Sequence, residues 1–176
     1  TEEIARLRLS GASVFVLTPG AGGRSTAQLS HITAGPLPTL EALDLHGDHL
    51  WEILATLNIA EAHIHHLIDF DTDAPAVFED HLTALAVPYR FVVHDYFAIC
   101  PRINMVDLGG MYCGEPDTAG CRRCLIKRGS VAGRPDIVNW RERYGLLMQR
   151  ASHVIVPDRD VRDRLRSHFP DLGNMK

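Results

Sequence analysis

Hydrophobic and polar positions divide most of the chain into segments of two kinds. Short β-prone apolar runs predict strands, at residues 14–17, 62–68, 89–93 and 153–156. Apolar residues spaced three and four positions apart predict helices, at residues 1–9, 49–57, 76–86, 137–150 and 158–168. Because the two kinds alternate, we expect βαβ units that form one α/β domain, with a Rossmann-like parallel sheet and helices on both of its faces.

Two polar stretches interrupt this alternation. Residues 21–40 are rich in Gly, Pro, Ser and Thr, which predicts a long loop with a short strand at 31–33. The glycine-rich residues 20–26 follow a strand, as a phosphate-binding loop does, but they lack the lysine that such a loop requires, so we expect a mobile loop there. Residues 100–128 predict a Cys-rich loop insertion within a single domain that spans residues 1–176.

The composition excludes several classes of protein. Of the 176 residues, 45% are hydrophobic, which is typical of a globular chain rather than a disordered one. A formal net charge of −4 and a pI of about 6.2 give no basic footprint for nucleic acid. The sequence has no apolar run of about 18 residues and no signal-peptide pattern at its start, so we expect a cytoplasmic protein.

A small basic cluster lies beside the cysteines. Its members are Arg122, Arg123, Lys127 and Arg128. The simplest interpretation is a solvated face. The functional alternative is a contact with an acceptor phosphate or with an anionic membrane surface, which would place the protein peripherally at the inner face of the membrane.

Polar side chains stand where two of the predicted strands end. One strand ends in His-Ile-His-His at residues 63–66, and the next ends in His-Asp-Tyr at residues 94–96. Open parallel sheets bind ligands at the carboxyl ends of their strands. An imidazole can hydrogen-bond a sugar hydroxyl, and a carboxylate beside it can orient it. The two clusters therefore predict a binding cleft, and the alternative is that the histidines cap loop backbone.

All four cysteines lie in one short stretch, at Cys100, Cys113, Cys121 and Cys124. The terminal Cys-x-x-Cys pair places two thiols on one turn, and the other two could complete the tetrahedron that zinc prefers. Free thiols and disulfides are the alternatives, although a reducing cytoplasm disfavours disulfides. A redox Cys-x-x-Cys is also disfavoured, because Cys121 is not predicted to follow a strand and open a helix.

The motif His-Asp-Tyr-x-x-x-Cys-Pro-Arg at residues 94–102, followed by Cys113 and the Cys-x-x-Cys pair, resembles the N-terminal domain of retaining GT-B glycosyltransferases. The likeness is to the subgroup that carries H-D-[YF]-x-x-x-C-P-R and C-x-x-C. With the histidines at 63–66 and the strand that ends at Pro157, it covers about residues 62–158.

The resemblance implies transfer of a sugar from a nucleotide sugar to a glycan or lipid-linked acceptor, with retention at the anomeric carbon, as in polysaccharide biosynthesis. In the family the N-terminal half holds the acceptor and the C-terminal half holds the nucleotide. A histidine at the end of a mid-domain strand faces the donor sugar, and His94 is the matching residue. The residues that would bind substrate around it are Asp95, Tyr96, His65, His66 and Arg102.

The chain also departs from the family. The pair of glutamates on the donor side is absent, Asp158 replaces the serine that usually follows the proline of the last strand, and no second Rossmann half follows Lys176. We therefore expect an acceptor domain truncated at both ends, inactive without its C-terminal donor domain. The alternative is a zinc-stapled α/β module that binds a sugar or a protein partner without catalysis.

Overall fold

The computed structural model describes residues 2–32, 39–107 and 109–176, which divide into two compact units, Thr1–Thr56 and Leu57–Lys176. The first unit contains, in chain order, helix α1 (Glu2–Leu9), strands β1 (Val14–Pro19), β2 (Thr26–Ile32) and β3 (Thr39–Asp44), and helix α2 (Asp48–Thr56). The second contains β4 (Ala62–Ile64), α3 (Ala74–Ala84), β5 (Tyr89–Val92), α4 (Thr118–Arg128), α5 (Ile137–Arg150), β6 (His153–Ile155) and α6 (Arg159–His168).

The sheet of the first unit is antiparallel, with strand order β1-β2-β3, so the prediction that residues 14–17 belong to a parallel sheet is wrong. The glycine-rich residues make the turn of a hairpin: the Gly20 N–H donates to the Thr26 carbonyl at 2.8 Å, and the Thr26 N–H donates to the Gly23 carbonyl at 3.0 Å. Gly23 has a φ of 117°, which only glycine adopts without strain.

The long loop predicted for residues 21–40 is also wrong, because strand β2 occupies much of it. Ala27 and Leu29 are buried on one face of β2, in the alternating pattern of a half-buried strand. Residues 33–38 of that predicted loop, including the end of the short strand predicted at 31–33, lie outside the described residues. The helix predicted at 49–57 is confirmed as α2.

The sheet of the second unit is parallel, with strand order β4-β5-β6. Helix α3 connects β4 to β5, and helices α4 and α5 lie between β5 and β6 in the chain, which is the βαβ arrangement expected from the alternation of elements. The mixed α/β class is therefore confirmed, but the described residues form two three-stranded sheets rather than one Rossmann-like parallel sheet.

Side-chain caps explain where two of the helices start. Asp136 accepts hydrogen bonds from the backbone of Val138 at 2.9 Å and of Asn139 at 3.3 Å at the start of α5. Asp158 accepts from the Val161 N–H at 2.9 Å at the start of α6 and so caps that helix. In the described part of the chain, no helix has both the length and the apolar character to cross a membrane.

The core of the second unit lies between its sheet and α5. Tyr144, Leu147 and Met148 of α5 and Val154 of β6 are almost fully buried. Tyr89 of β5 is buried against them, and its hydroxyl donates to the carbonyl of Leu147 at 2.8 Å. This packing fixes the position of β5. The predicted catalytic residue, His94, lies just after this strand.

The Cys-rich segment is not entirely a loop, because α4 occupies its second half. Asp117 caps this helix by accepting from the Gly120 N–H at 2.7 Å, and the helix ends at Gly129, whose φ is 63°. Leu125 is the buried residue of α4. A helix with so few apolar contacts gives almost no periodic signal, which explains why the pattern predicted a loop.

Candidate functional site

The carboxyl ends of β4 and β5 meet at one edge of the parallel sheet. The predicted strand at residues 62–68 stops at Ile64, so His65 and His66 lie in the loop that follows β4. His94 and Asp95 follow β5 in the same way. We call these four residues (His65, His66, His94 and Asp95) the strand-tip group. Their proximity follows from the parallel pairing of the two strands.

The first contact of the strand-tip group joins two histidines. Nδ1 of His65 lies 3.1 Å from Nε2 of His94, and the two rings stack with their centroids 5.4 Å apart. One of these nitrogens must carry the hydrogen and the other must accept it. His94 is exposed, so its ring remains accessible to a ligand.

The second contact has a defined tautomer. Nδ1 of His66 accepts the Ile68 N–H at 2.9 Å, so the hydrogen of the neutral ring lies on Nε2. That nitrogen is 3.0 Å from Oδ2 of Asp95, which accepts it. The other carboxylate oxygen of Asp95 accepts the Phe97 N–H at 2.8 Å. Asp95 therefore ties the loops after β4 and β5 together.

These hydrogen bonds control the ionisation of Asp95. Burial acts to raise the pKa of this carboxyl group, but the hydrogen bonds from His66 and from the Phe97 backbone outweigh it and hold the pKa below its usual value. A group whose pKa is lowered by folding stabilises the protein when it is ionised. We conclude that Asp95 is a carboxylate at neutral pH and that its bonds contribute to stability.

Replacing Asp95 with asparagine should lower the free energy of unfolding at pH 7 by about 1–3 kcal/mol. The amide has one acceptor oxygen for two donors, and the His66 ring cannot change its tautomer without losing the Ile68 N–H. The stabilisation from Asp95 is present above its unfolded pKa of about 3.9 and is lost as the pH falls through the lower folded pKa. The difference in free energy of unfolding between Asp95→Asn and the parent chain should therefore shrink in that acidic range.

Urea unfolding of both proteins between neutral and strongly acidic pH measures this effect. Asp80→Asn is the matched control, because Asp80 is exposed on α3 in the same unit. Its free energy of unfolding should change by less than about 0.5 kcal/mol. Equal stability of Asp95→Asn and the parent chain at pH 7 would show that the Asp95 bonds are not formed.

The strand-tip group lines a small cavity of about 10 Å³. Its floor is apolar and includes Phe91, Val93 and Tyr144. This volume suffices for about one water molecule, so a sugar could not enter it. A ligand larger than water would have to contact the outer edge of the imidazoles, where His94 is exposed and His65 and His66 are half-buried.

Two of the predicted substrate-binding residues, Tyr96 and Arg102, lie outside the strand-tip group. The hydroxyl of Tyr96 donates to Oδ2 of Asp160 on α6 at 2.8 Å. Arg102 does not line the small cavity. Its Nε is buried and has no hydrogen-bond partner in the described part of the chain. The geometry therefore groups His94, Asp95 and the two histidines after β4, and it leaves Arg102 outside that group.

A polar network beside Tyr96 was not predicted from the sequence. Arg164 of α6 contacts Asp160 through its Nε at 2.7 Å and also pairs with Glu115 and the Tyr112 hydroxyl. Its guanidinium lies over the Tyr112 ring, 4.8 Å from the centroid. The Arg164–Asp160 pair joins residues four positions apart, a spacing that a helix brings together. It could not indicate the contacts to residues 112 and 115, which are distant in sequence.

The four cysteines are free and partly buried. Cys121 and Cys124 lie on α4, and the backbone N–H groups of Cys100 and Cys113 donate to the carbonyls of Tyr96 and Met105 at 2.8 and 2.9 Å. Cys121 is the fourth residue of α4, so the segment around it is helical, although the helix begins at Thr118 and no strand leads directly into it. Burial also raises the pKa of the Cys121 thiol, whereas a redox thiol needs a lowered pKa.

The basic cluster lies on the exposed surface of α4, at Arg122, Arg123, Lys127 and Arg128. Nε of Arg122 lies 2.7 Å from Oδ2 of Asp136, the cap of α5, so this residue has a structural partner. Contact of the cluster with a phosphate or a membrane stays a prediction.

Comparison of the chain with family models, with curated proteins and with solved structures finds no match. The function of the strand-tip group is therefore inferred from its chemistry and from the motif at residues 94–102. The contact of His65 with His94 and the contact of His66 with Asp95 place hydrogen-bond donors and acceptors at one exposed edge.

Proposed function

We propose that the chain is the acceptor-binding half of a retaining glycosyltransferase that moves a sugar from a nucleotide sugar to a glycan or lipid-linked acceptor. His94 is the catalytic residue in this proposal and faces the donor sugar. The nucleotide is bound by a donor domain encoded outside the present chain. The observation that carries the proposal is the meeting of His94 with His65, beside the His66–Asp95 pair, at the tips of two adjacent parallel strands.

Sugar transfer suits this arrangement for an electrostatic reason. In the transition state, positive charge develops on the transferred sugar and negative charge on the leaving phosphate. Polar groups that are already fixed in place can therefore supply most of the transition-state stabilisation. His65 holds the ring of His94, and a ring held in advance loses little entropy when the substrate arrives. The carboxylate of Asp95 is fixed by two donors and presents negative charge to the same edge.

The acceptor hydroxyl is recognised, in this proposal, by the outer edges of the strand-tip group. The cavity beneath the group is too small for a sugar, so the binding surface is the exposed rim on which His94 stands. An acceptor bound on an open rim makes few contacts. We therefore expect weak binding to the chain alone, and tighter binding when the donor domain closes over it.

Titration of the 176-residue chain with methyl glycosides of common hexoses tests the acceptor half of the proposal. We expect millimolar binding that shifts the ring NMR signals of His65, His66 and His94. The ring of His153, at the opposite end of the parallel sheet, is the internal control and should not shift. Shifts confined to other parts of the chain, or equal shifts at His153, would contradict an acceptor site at the strand tips.

A further inference from the structure

An open groove runs along the side of α5 that faces away from the buried core. Its volume is about 530 Å³. One wall is α5 itself, and the other is the segment 168–172, which follows from the end of α6. We call this site the α5 groove. Its lining is mostly apolar and includes Ile137, Val138, Leu146, Phe169, Pro170 and Leu172.

The dimensions of the α5 groove suit a small molecule. Because Gly145 has no side chain, the two walls approach closely: a Cβ atom there would lie 3.3 Å from the ring of Phe169. The lining residues of α5 run from Val138 to Gln149, a length of about 16 Å along the helix. Leu146 on this wall is 50% exposed. The volume lies within the range of about 300–1,000 Å³ that is typical of small-molecule sites.

Arg141 is a half-buried cation that lines the α5 groove. Its Nε donates to the carbonyl of Ile99 at 3.0 Å, and its Nη2 lies 3.7 Å from the sulfur of Cys121. Burial raises the pKa of the Cys121 thiol, so this sulfur is neutral and does not balance the guanidinium. Within the described part of the chain, no carboxylate pairs with Arg141, and its Nη1 has no hydrogen-bond partner.

The other charged groups of the α5 groove leave the charge of Arg141 in place. Burial and the positive charge of Arg141 lower the pKa of His168, although its hydrogen bond to Glu115 opposes them, so the ring is neutral at pH 7. Glu142 and Asp171 lie on the exposed rim, where water and salt screen their charge. These two carboxylates disfavour a multiply charged anion more strongly than a singly charged one.

We infer that the α5 groove binds a fatty-acid-like amphiphile, whose single carboxylate pairs with Arg141 and whose alkyl chain lies on the apolar lining. Charges that are withdrawn from water are normally paired, and a guanidinium forms strong charge-assisted hydrogen bonds with a carboxylate. The alkyl chain covers apolar surface that is otherwise in contact with water. The α5 groove shares no lining residue with the strand-tip cavity, so this site does not depend on sugar transfer.

Titration of the chain with octanoate at pH 7, followed by backbone amide NMR, tests this site. We expect saturable shifts that centre on the amides of Gly145 and Phe169, which lie on opposite walls of the α5 groove. Octylamine has the same chain with the opposite charge, and acetate has the carboxylate without the chain. Each should bind at least about tenfold more weakly than octanoate, because each lacks one of the two interactions.

Two variants locate the binding site. Arg141→Gln should weaken octanoate binding by at least about tenfold, whereas Arg123→Gln, which removes the same charge from an exposed position outside the α5 groove, should leave it unchanged. Because Arg141→Gln also removes the contact with Ile99, Leu146→Asp is a second variant. It places a repelling charge at an exposed position of the wall and should weaken binding to a similar extent.

Two results would overturn the inference. One is octylamine binding as tightly as octanoate, which would show that Arg141 does not select the charge of the ligand. The other is unchanged octanoate binding by a folded Leu146→Asp protein, which would place the ligand outside the α5 groove.

Discussion

Replacing His94 with alanine should lower the kcat of sugar transfer by about 100- to 1,000-fold, the usual cost of removing one preorganised polar group from a transition state. The assay needs a protein that joins this chain to its proposed donor domain and measures transfer from a nucleotide sugar. His94 is exposed and its defined partner is the His65 ring. The free energy of unfolding should therefore fall by no more than about 1 kcal/mol.

His153→Ala is the matched control for this experiment. His153 begins β6 and pairs with Arg90 at the opposite end of the sheet, so its loss should leave kcat unchanged. His65→Ala should give a smaller loss than His94→Ala, because the ring that faces the donor sugar remains but is no longer held in place. Normal turnover by a folded His94→Ala protein would remove the catalytic role from this residue.

The helices and strands of the second unit could be predicted from the sequence because most of them carry a strong hydrophobic pattern of their own. The helix at residues 137–150 has the same bounds in the structure, and the strands after Pro88 and Ser152 start where their apolar runs start. The contact between the two pairs of strand-tip residues also follows from the pattern, since neighbouring parallel strands bring their carboxyl ends together.

The sheet of the first unit could not be predicted in the same way. An apolar run such as residues 14–17 shows that a strand is buried, but it does not show which strand will pair with it or in which direction. Strand β2 contains polar residues that are typical of loops, and pairing with β1 overrides that tendency.

The contacts that join Arg164 to Glu115 and Tyr112 were missed for a related reason. They connect side chains that are far apart in the sequence, and they belong to no periodic pattern. The partners of such charged side chains depend on which helices and strands the fold brings together, so they cannot be predicted from the local sequence. By contrast, Arg159 and Asp163 of α6 form an exposed pair four positions apart, which helical spacing alone can indicate.

Trp140 packs against Phe97 in the turn that follows β5. It is 3% exposed, its ring centroid lies 5.0 Å from that of Phe97, and its Nε1 donates to the Phe97 carbonyl at 2.9 Å. Trp140→Ala should lower the free energy of unfolding by about 3–5 kcal/mol, because it leaves a large cavity. Trp140→Phe fills most of that space but leaves the carbonyl unpaired, at a cost of about 1–3 kcal/mol.

Urea unfolding measures both losses, and Leu146→Ala is the control, because Leu146 lies on the same helix but is 50% exposed. Hydrogen exchange at the Phe97 amide shows whether the damage reaches the site, since this N–H holds Asp95. Faster exchange is expected in both Trp140 variants and not in Leu146→Ala. If Trp140→Ala cost no more than Leu146→Ala, the aromatic packing would not be what positions the turn after β5.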